Sequence, residues 1–246
     1  MKKLIAFLIS ISMTFPISGA MIFNGSSSYV TANLATNVTT NFTMSAWVKV
    51  GSLNQNSVMF VNNGWDNRIT NGFGYGMGIG NGAGGSGGKL TGVLSGIVWI
   101  DSGYSFPDTT SWHHVIMTRD TTTTSFYVDG VPQSGSSALV PQTPATVTSL
   151  AAQYDNVSAY GGFFLGELED VRIYNRTLTQ AEITSLFESR SRLAMTDGLV
   201  AYWMLDEGNE GQTASGAGNV LDRSGSNNNG TANNSPVYTQ SSLNYP

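Results

Sequence analysis

Residues 42–49 read Phe-Thr-Met-Ser-Ala-Trp-Val-Lys, and this stretch decides the fold class. Every second residue of this stretch has an apolar side chain that belongs to one face, namely Phe42, Met44, Ala46 and Val48. Because successive side chains of a β-strand point to opposite faces, period two predicts a strand. We expect it to bury one face and to show the other to solvent or to a covering loop.

The same period runs from residue 21 to residue 174, where clusters of Gly, Asn, Asp and Pro break it at short intervals. Residues 112–119 repeat the pattern, with adjacent histidines that must point to opposite faces. In residues 126–131, Asp129-Gly130 supplies the two positive-φ positions of a type I′ turn, which predicts a β-hairpin. The pattern is typical of antiparallel sheets.

Composition excludes several classes of protein. Charged residues make up 11% of the 246, where about 25% is usual. The surface must therefore be covered by Ser, Thr, Asn and Gly, which favours an extracellular β protein. The absence of cysteine excludes disulfides, thiolate metal sites and cysteine nucleophiles.

Residues 1–20 are predicted to be a signal peptide. Lys2 and Lys3 precede an apolar run over residues 4–15, and Ser18-Gly19-Ala20 offers the small residues that a signal peptidase reads. We expect a mature chain that begins near Met21, is secreted or periplasmic, and does not insert into a membrane. Without the two lysines, 9 basic residues face 16 acidic ones, and this net charge of −7 disfavours nucleic acid as a partner.

Two further local signals concern a helix and a loop. Thr179 and Glu182 form a Thr-x-x-Glu capping box, and a short apolar stripe follows it, so one short helix is predicted. The glycine-rich residues 72–88 predict a thin strand that runs into a mobile hairpin loop.

Six motifs in order resemble one known family. They are residues 22–30 (Ile-Phe-Asn-Gly-Ser-Ser-Ser-Tyr-Val), 42–49, 112–115 (Trp-His-His-Val), 126–131 (Phe-Tyr-Val-Asp-Gly-Val), 166–176 (Gly-Glu-Leu-Glu-Asp-Val-Arg-Ile-Tyr-Asn-Arg) and the capped helix. Over residues 22–187 the chain resembles the laminin-G-like, concanavalin A-like jelly-roll domains that are common in secreted bacterial proteins.

The resemblance implies an all-β, two-sheet antiparallel jelly-roll sandwich with one short C-terminal helix. It also implies a secreted, non-catalytic module for binding or adhesion, with a glycan or an extracellular protein surface as partner. The chain would divide into the signal peptide, the jelly-roll domain at 21–190 and a C-terminal segment at 191–246.

The resemblance further implies a structural calcium ion. The residues that correspond to its site are Asn24, Ser27, Glu169 and Asp170. The family usually has aspartate at the positions of Asn24 and Glu169. The site loses one charge at Asn24 and has a longer side chain at Glu169, and both changes weaken it, because calcium prefers a close set of oxygens that includes carboxylates. The alternative is that Asn24-Gly25 is only a tight turn and that the two acids make surface hydrogen bonds.

Catalysis is not predicted. Glu167 and Glu169 have the i, i+2 spacing of a glycosidase pair, but the third carboxylate of such enzymes is missing. His113 and His114 cannot act together from opposite faces; one should pack inside with a hydrogen bond, and the other should be covered. A glycoside hydrolase or lyase remains an alternative function.

Aromatic and acidic residues in polar surroundings suggest where a glycan binds, since rings stack on sugars and carboxylates take their hydroxyls. The candidate ligand-binding residues are Trp65, Asp66, Asp101 and Tyr104. Trp65 and Tyr104 are expected in loops, whereas Tyr75 and Trp99 are expected to be buried.

Residues 198–208 resemble the opening strands of the same family, although they follow the helix. Both faces of 199–205 are apolar, which predicts a covered strand. Three alternatives stay open: the segment completes its own domain, it is donated to a neighbouring molecule so that the protein assembles as a structural subunit, or it begins a truncated second repeat.

Overall fold

The computed structural model describes residues 19–34, 40–65, 73–80, 87–94, 98–144, 147–154, 160–188 and 195–243. Most of the predicted signal peptide, most of the predicted glycine-rich loop and Asp66 lie outside these ranges.

The described residues form eighteen strands and one helix. The strands before the helix are β1 (Gly19–Asn24), β2 (Tyr29–Asn33), β3 (Phe42–Val50), β4 (Val58–Trp65), β5 (Phe73–Ile79), β6 (Lys89–Leu94), β7 (Val98–Ser105), β8 (His113–Arg119), β9 (Thr124–Val128), β10 (Val131–Ser137), β11 (Val147–Leu150), β12 (Gln153–Tyr154), β13 (Tyr160–Gly161) and β14 (Leu165–Tyr174). The helix α1 (Gln180–Glu188) is followed by β15 (Leu199–Trp203), β16 (Gly216–Val220), β17 (Gly230–Asn233) and β18 (Val237–Gln240).

Two antiparallel sheets of eight strands pack face to face, so the predicted sandwich is confirmed. In the first sheet the order is β10-β9-β8-β3-β14-β1-β18, and β15 also pairs with β14. In the second sheet the order is β16-β17-β2-β11-β4-β5-β6-β7. Strands β12 and β13 form a separate two-stranded ribbon, which is not part of the hydrogen-bonded ladder of either sheet.

Strand β3 buries both of its faces. Its apolar residues enter the core between the sheets, as the period-two pattern predicts. The opposite face is covered by α1, where the ring of Phe187 stacks on Trp47 with the centroids 5.8 Å apart. The covering element is therefore a helix, which accounts for the burial of Thr43 and Ser45 on that face.

The local predictions for the hairpin and the helix are confirmed. Asp129 and Gly130 have φ angles of 52° and 78° between β9 and β10, as a type I′ turn requires. At the start of α1, the backbone N–H of Thr179 donates to the Glu182 carboxylate over 2.8 Å, and the N–H of Glu182 donates back to the Thr179 hydroxyl.

The C-terminal segment pairs with strands of the same chain. Strand β15 lies along β14 beyond the end of β1, while β18 pairs with β1 and β17 pairs with β2. All five residues of β15 are buried, as the apolar pattern predicts. In this arrangement the segment supplies strands to both sheets.

Candidate functional site

Four half-exposed aromatic rings gather on the surface of the molecule, and we call them the tyrosine platform: Tyr29, Tyr154, Tyr160 and Phe163. Tyr29 opens β2 and points away from the core because it alternates with the buried Val30. Tyr154 and Tyr160 face each other across the β12-β13 ribbon.

Backbone hydrogen bonds hold the ribbon against the second sheet. The N–H of Met59 on β4 donates to the carbonyl of Gly162 over 3.1 Å, and the N–H of Phe164 donates to the carbonyl of Ala151 over 2.9 Å. Phe163 lies between these two anchor points, so its ring is carried by a fixed backbone.

The rings contact one another but are not coplanar. Tyr29 and Tyr160 stack with centroids 4.1 Å apart and planes 27° apart. Tyr154 lies 5.0 Å from Tyr160, and Phe163 lies 6.0 Å from Tyr29, each pair inclined at 44°. The platform is therefore a twisted aromatic surface, because its rings do not lie in one plane.

The four residues of the platform carry no charged side chain. Burial and the neighbouring phenols of Tyr29 and Tyr154 raise the pKa of Tyr160 to about 12, and burial raises the pKa of Tyr29. No Asp, Glu, Lys or Arg contributes to either shift. In the described ranges, the three tyrosine hydroxyls make no hydrogen bond to protein. The raised pKa values keep the phenols of Tyr29 and Tyr160 neutral at physiological pH, so both can donate a hydrogen bond.

Amide and hydroxyl groups border the platform on the same face of the second sheet. Asn233 of β17 is the register partner of Tyr29, and its Nδ2 donates to the Thr231 carbonyl over 2.8 Å and to the Thr31 hydroxyl over 3.3 Å. This side chain is half-buried and held in one orientation. The border can therefore accept and donate hydrogen bonds beside the rings.

Tyr104 was expected in a loop, and that expectation is wrong. It lies in β7, the last strand of the second sheet, where polar residues alternate with core residues because one face of an edge strand is exposed. Its ring packs against the core, and its hydroxyl lies 3.3 Å from His113 Nδ1. Asp101 on the same strand is exposed, but its carboxylate binds Lys89 Nζ over 2.6 Å and the Gly103 N–H over 2.8 Å.

The other predicted aromatic residues are distributed as follows. Trp65 is the last residue of β4 and pairs with Phe73, so it too belongs to a strand and not to a loop, because the ladder continues to that residue. Tyr75 is buried, as predicted. Trp99 is only half-buried and lies against Gly80, because it points to the outer face of the second sheet. The four sequence-predicted ligand residues do not include a member of the platform.

The residues predicted to hold calcium fall into two groups. Asn24 is the register partner of Leu165, which places Glu169 four residues farther along β14, about 13 Å away at 3.4 Å per residue. The Oδ1 atom of Asn24 accepts from the N–H groups of Ser26, Ser27 and Ser28 over 2.9–3.1 Å. These hydrogen bonds form a tight turn, as the alternative interpretation of Asn24-Gly25 expects.

The acidic half of that set is also engaged. Glu169 and Asp170 are buried on the outer face of the first sheet, so they are not the surface residues of the alternative interpretation. Arg172 Nη2 donates to Asp170 Oδ2 over 2.9 Å. Across the described part of the chain, no group of three or more His, Asp or Glu side chains is placed to hold a metal. This donor set does not fit one shared cation.

Neither the paired glutamates nor the histidines form a reactive group. Glu167 is ion-paired with Lys49 over 2.7 Å. His113 Nδ1 lies 2.8 Å from Asp129 Oδ2 and faces the core, while His114 is buried under α1 with its Nε2 2.8 Å from the Ser45 hydroxyl. One histidine packs inside and the other is covered, as predicted from their adjacency, but the covering element is the helix α1 and not a strand or a loop.

Sequence reasoning missed the tyrosine platform. Tyr29 sits inside a motif that was interpreted as a calcium loop, and the other three rings lie in the short stretch 154–163, which has no regular alternation of apolar residues. Period two alone shows that Tyr29 points outward, since Val30 is apolar. Nothing in the sequence shows that Tyr160 meets it.

Comparisons with known proteins agree with the fold. The family model for the concanavalin A-like lectin/glucanases superfamily matches residues 24–184. A candidate carbohydrate-binding protein from Bacteroides ovatus aligns over 93% of this chain and 61% of its own, with 20% identity and a TM-score of 0.65. This chain thus spans about three fifths of the length of that protein.

Two other solved structures share the fold. Domain 4 of a GH43 extracellular arabinanase from Geobacillus stearothermophilus, in complex with arabinotriose, aligns over 68% of this chain and 75% of its own, with 21% identity and a TM-score of 0.52. A heptameric SAP-like pentraxin from Limulus polyphemus aligns over 76% and 93%, with 12% identity and a TM-score of 0.54. No curated protein matches the sequence.

Proposed function

Because the chain belongs to the concanavalin A-like lectin/glucanases superfamily, we propose that it is a secreted, non-catalytic module that binds neutral carbohydrate at the tyrosine platform. The observation that carries this proposal is the cluster of four half-exposed rings, three of which are tyrosines whose hydroxyls have no protein partner in the described chain. Clustered aromatic rings at a surface, with polar groups at their border, are the arrangement that a sugar ring can stack on.

Stacking would supply most of the binding energy. The C–H face of a pyranose or furanose ring is apolar and fits the face of a phenol, while the sugar hydroxyls reach neighbouring polar groups. The free hydroxyls of Tyr154 and Tyr160 and the amide of Asn233 are placed to make those hydrogen bonds. The four platform residues carry no charge, and among the described residues no charged group contributes to the pKa shift of Tyr160, which suits an uncharged glycan better than an acidic one.

The twist of the platform favours a single soluble chain. Planes inclined at 27° and 44° cannot all lie flat on a crystalline polysaccharide. A flexible oligosaccharide can turn from one ring to the next. Arabinotriose, which is bound by the related domain of the Geobacillus arabinanase, is a suitable first probe.

The buried carboxylates support the non-catalytic part of the proposal. A glycosidase places an acid and a nucleophile on both sides of an open cleft. Here Glu167 is neutralised by Lys49, and Glu169 is 1% exposed beneath the outer face of the first sheet. Neither carboxylate reaches the platform, which belongs to the second sheet.

Composition supports export. The low charge content and the predicted leader suit an extracellular protein. In the residues described by the structure, the helix is too short to cross a bilayer.

A glycan array followed by calorimetry tests the proposal. We expect the protein to bind one class of neutral oligosaccharide, and Tyr160→Ala to weaken binding about 5- to 150-fold, if a sugar gains from stacking the roughly 1–3 kcal/mol per ring that a nucleic-acid base does. Tyr160→Phe should retain most of the affinity because it keeps the ring. Tyr127→Ala is the matched control, because Tyr127 is a half-buried tyrosine of β9 in the other sheet. Glycan binding that survives Tyr160→Ala would place the site elsewhere, and no glycan binding by the folded protein would refute the function.

A further inference from the structure

An arginine side chain is buried at one end of the sandwich. Arg119 is the last residue of β8 and is 0% exposed. It alternates with the core residues Val115 and Met117, and its register partner on β3 is Phe42, whose side chain also enters the core. The guanidinium therefore lies on the inner face of the first sheet.

Only one edge of this guanidinium has a partner. Nη1 donates to the Thr124 hydroxyl over 2.9 Å, whereas Nε and Nη2 are buried and make no hydrogen bond to any residue that the structure describes. Within the described residues, no carboxylate forms an ion pair with Arg119. The adjacent Asp120 accepts instead from Thr122 and Thr123 in the turn that follows.

This arrangement is costly without an anion. A buried charge with unmet donors loses its hydration and gains little in return. Burial accordingly lowers the pKa of the Arg119 guanidinium, and only Asp120 acts in the opposite direction. Buried polar groups are nearly always satisfied in folded proteins, by protein, water or a bound ion, so these two nitrogens need a partner.

We propose that Arg119 forms an anion-binding site that takes a carboxylate or another oxyanion. Nε and Nη2 are the pair of donors that project in parallel from one side of a guanidinium, and they match the two oxygens of a carboxylate, sulfate or phosphate group. Thr124 fixes the plane of the guanidinium by binding Nη1, so the free edge is already oriented. The site is independent of the tyrosine platform, whose four residues carry no charged side chain.

The site lies close to the surface despite its burial. The next residue, Asp120, is exposed and begins the short turn of residues 120–123 between β8 and β9. Because the guanidinium is fully buried, an anion would reach it from this end of the sandwich only when the turn moves aside. Two kinds of ligand carry such an anionic group: a free inorganic oxyanion and an acidic sugar with a carboxylate. The experiment below distinguishes these two ligands.

Thermal unfolding of the full chain tests the proposal with sodium sulfate, sodium acetate and sodium galacturonate, each against sodium chloride at equal ionic strength. We expect at least one oxyanion to raise the melting temperature of the wild type saturably, by several degrees. Arg119→Lys keeps the charge but not the paired donors, and Arg119→Met keeps the apolar stem; both should lose the saturable rise. A rise with galacturonate at concentrations where acetate has no effect identifies the acidic sugar as the source.

The Met variant also separates specific binding from the general stabilising effect of sulfate on proteins. A general effect acts equally on wild type and Arg119→Met, and that outcome would overturn the proposal. Identical melting temperatures of the wild type in all four salts would overturn it too. Arg119→Met should itself melt higher than the wild type in low-salt buffer, because it removes an unpaired buried charge.

Discussion

Replacing Trp203 by alanine should remove a large part of the stability of this domain. Trp203 lies in β15, is 0% exposed, and packs in the core between the sheets. Its Nε1 donates to the Asn228 carbonyl over 2.9 Å, which ties the loop before β17 to β15. Trp→Ala in a core costs about 3–5 kcal/mol, and the lost hydrogen bond adds roughly 1 kcal/mol.

A loss of that size is comparable with the whole stability of a typical domain, about 5–15 kcal/mol. Urea unfolding followed by tryptophan fluorescence and circular dichroism measures it, with Leu221→Ala as the control because Leu221 is 42% exposed. We expect the control to change stability by less than about 0.5 kcal/mol. A Trp203→Ala protein as stable as the control would refute the assignment of β15 to the core.

Deletion of residues 197–246 extends the same test to the whole segment. If these strands complete their own domain, the shortened protein should be insoluble or molten, because β14 and β1 lose their neighbours. Strand donation predicts instead that the full-length protein forms oligomers and that the deletion product is a monomer. A truncated second repeat predicts a deletion product at least as soluble as the parent. Size-exclusion chromatography with light scattering distinguishes the three.

The remaining predictions concern acid stability and calcium. Burial lowers the pKa of His114 to about 3 from 6.5, so the unfolded chain takes up its proton first, and stability should fall as the pH drops below 6.5, by about 2–3 kcal/mol at pH 4.5. His114→Gln should remove that part of the slope in urea titrations at pH 6.5 and 4.5; an unchanged slope would contradict this. Since Asn24 and Asp170 are engaged by other groups, millimolar calcium should leave the melting temperature unchanged. A rise that a chelator reverses and Asp170→Asn abolishes would restore the calcium site.

Features that depend on neighbours in the chain could be predicted from the sequence alone. The alternation in residues 42–49 determines a strand because the period of side chains is a property of the extended backbone. Asp129-Gly130 and the capping box of Thr179 act within four residues, so the hairpin and the helix need no tertiary information. Both faces of residues 199–205 are apolar, so the sequence also predicts that other elements bury this strand on both sides, without saying which elements they are.

Tertiary structure alone decided what covers each face and which distant side chains meet. The sequence leaves three alternatives open for residues 199–205, and in the structure this strand, β15, pairs with β14 of the same chain. Tyr29 and Tyr160 are far apart in the chain, and only the packing of the β12-β13 ribbon on the second sheet stacks their rings. Arg119 has an ordinary position at the end of a strand, and its unmet donors become visible only when the partners around it are known. Contacts of this kind depend on sheet order and register, which are set by the summed burial of the whole core and not by any local motif.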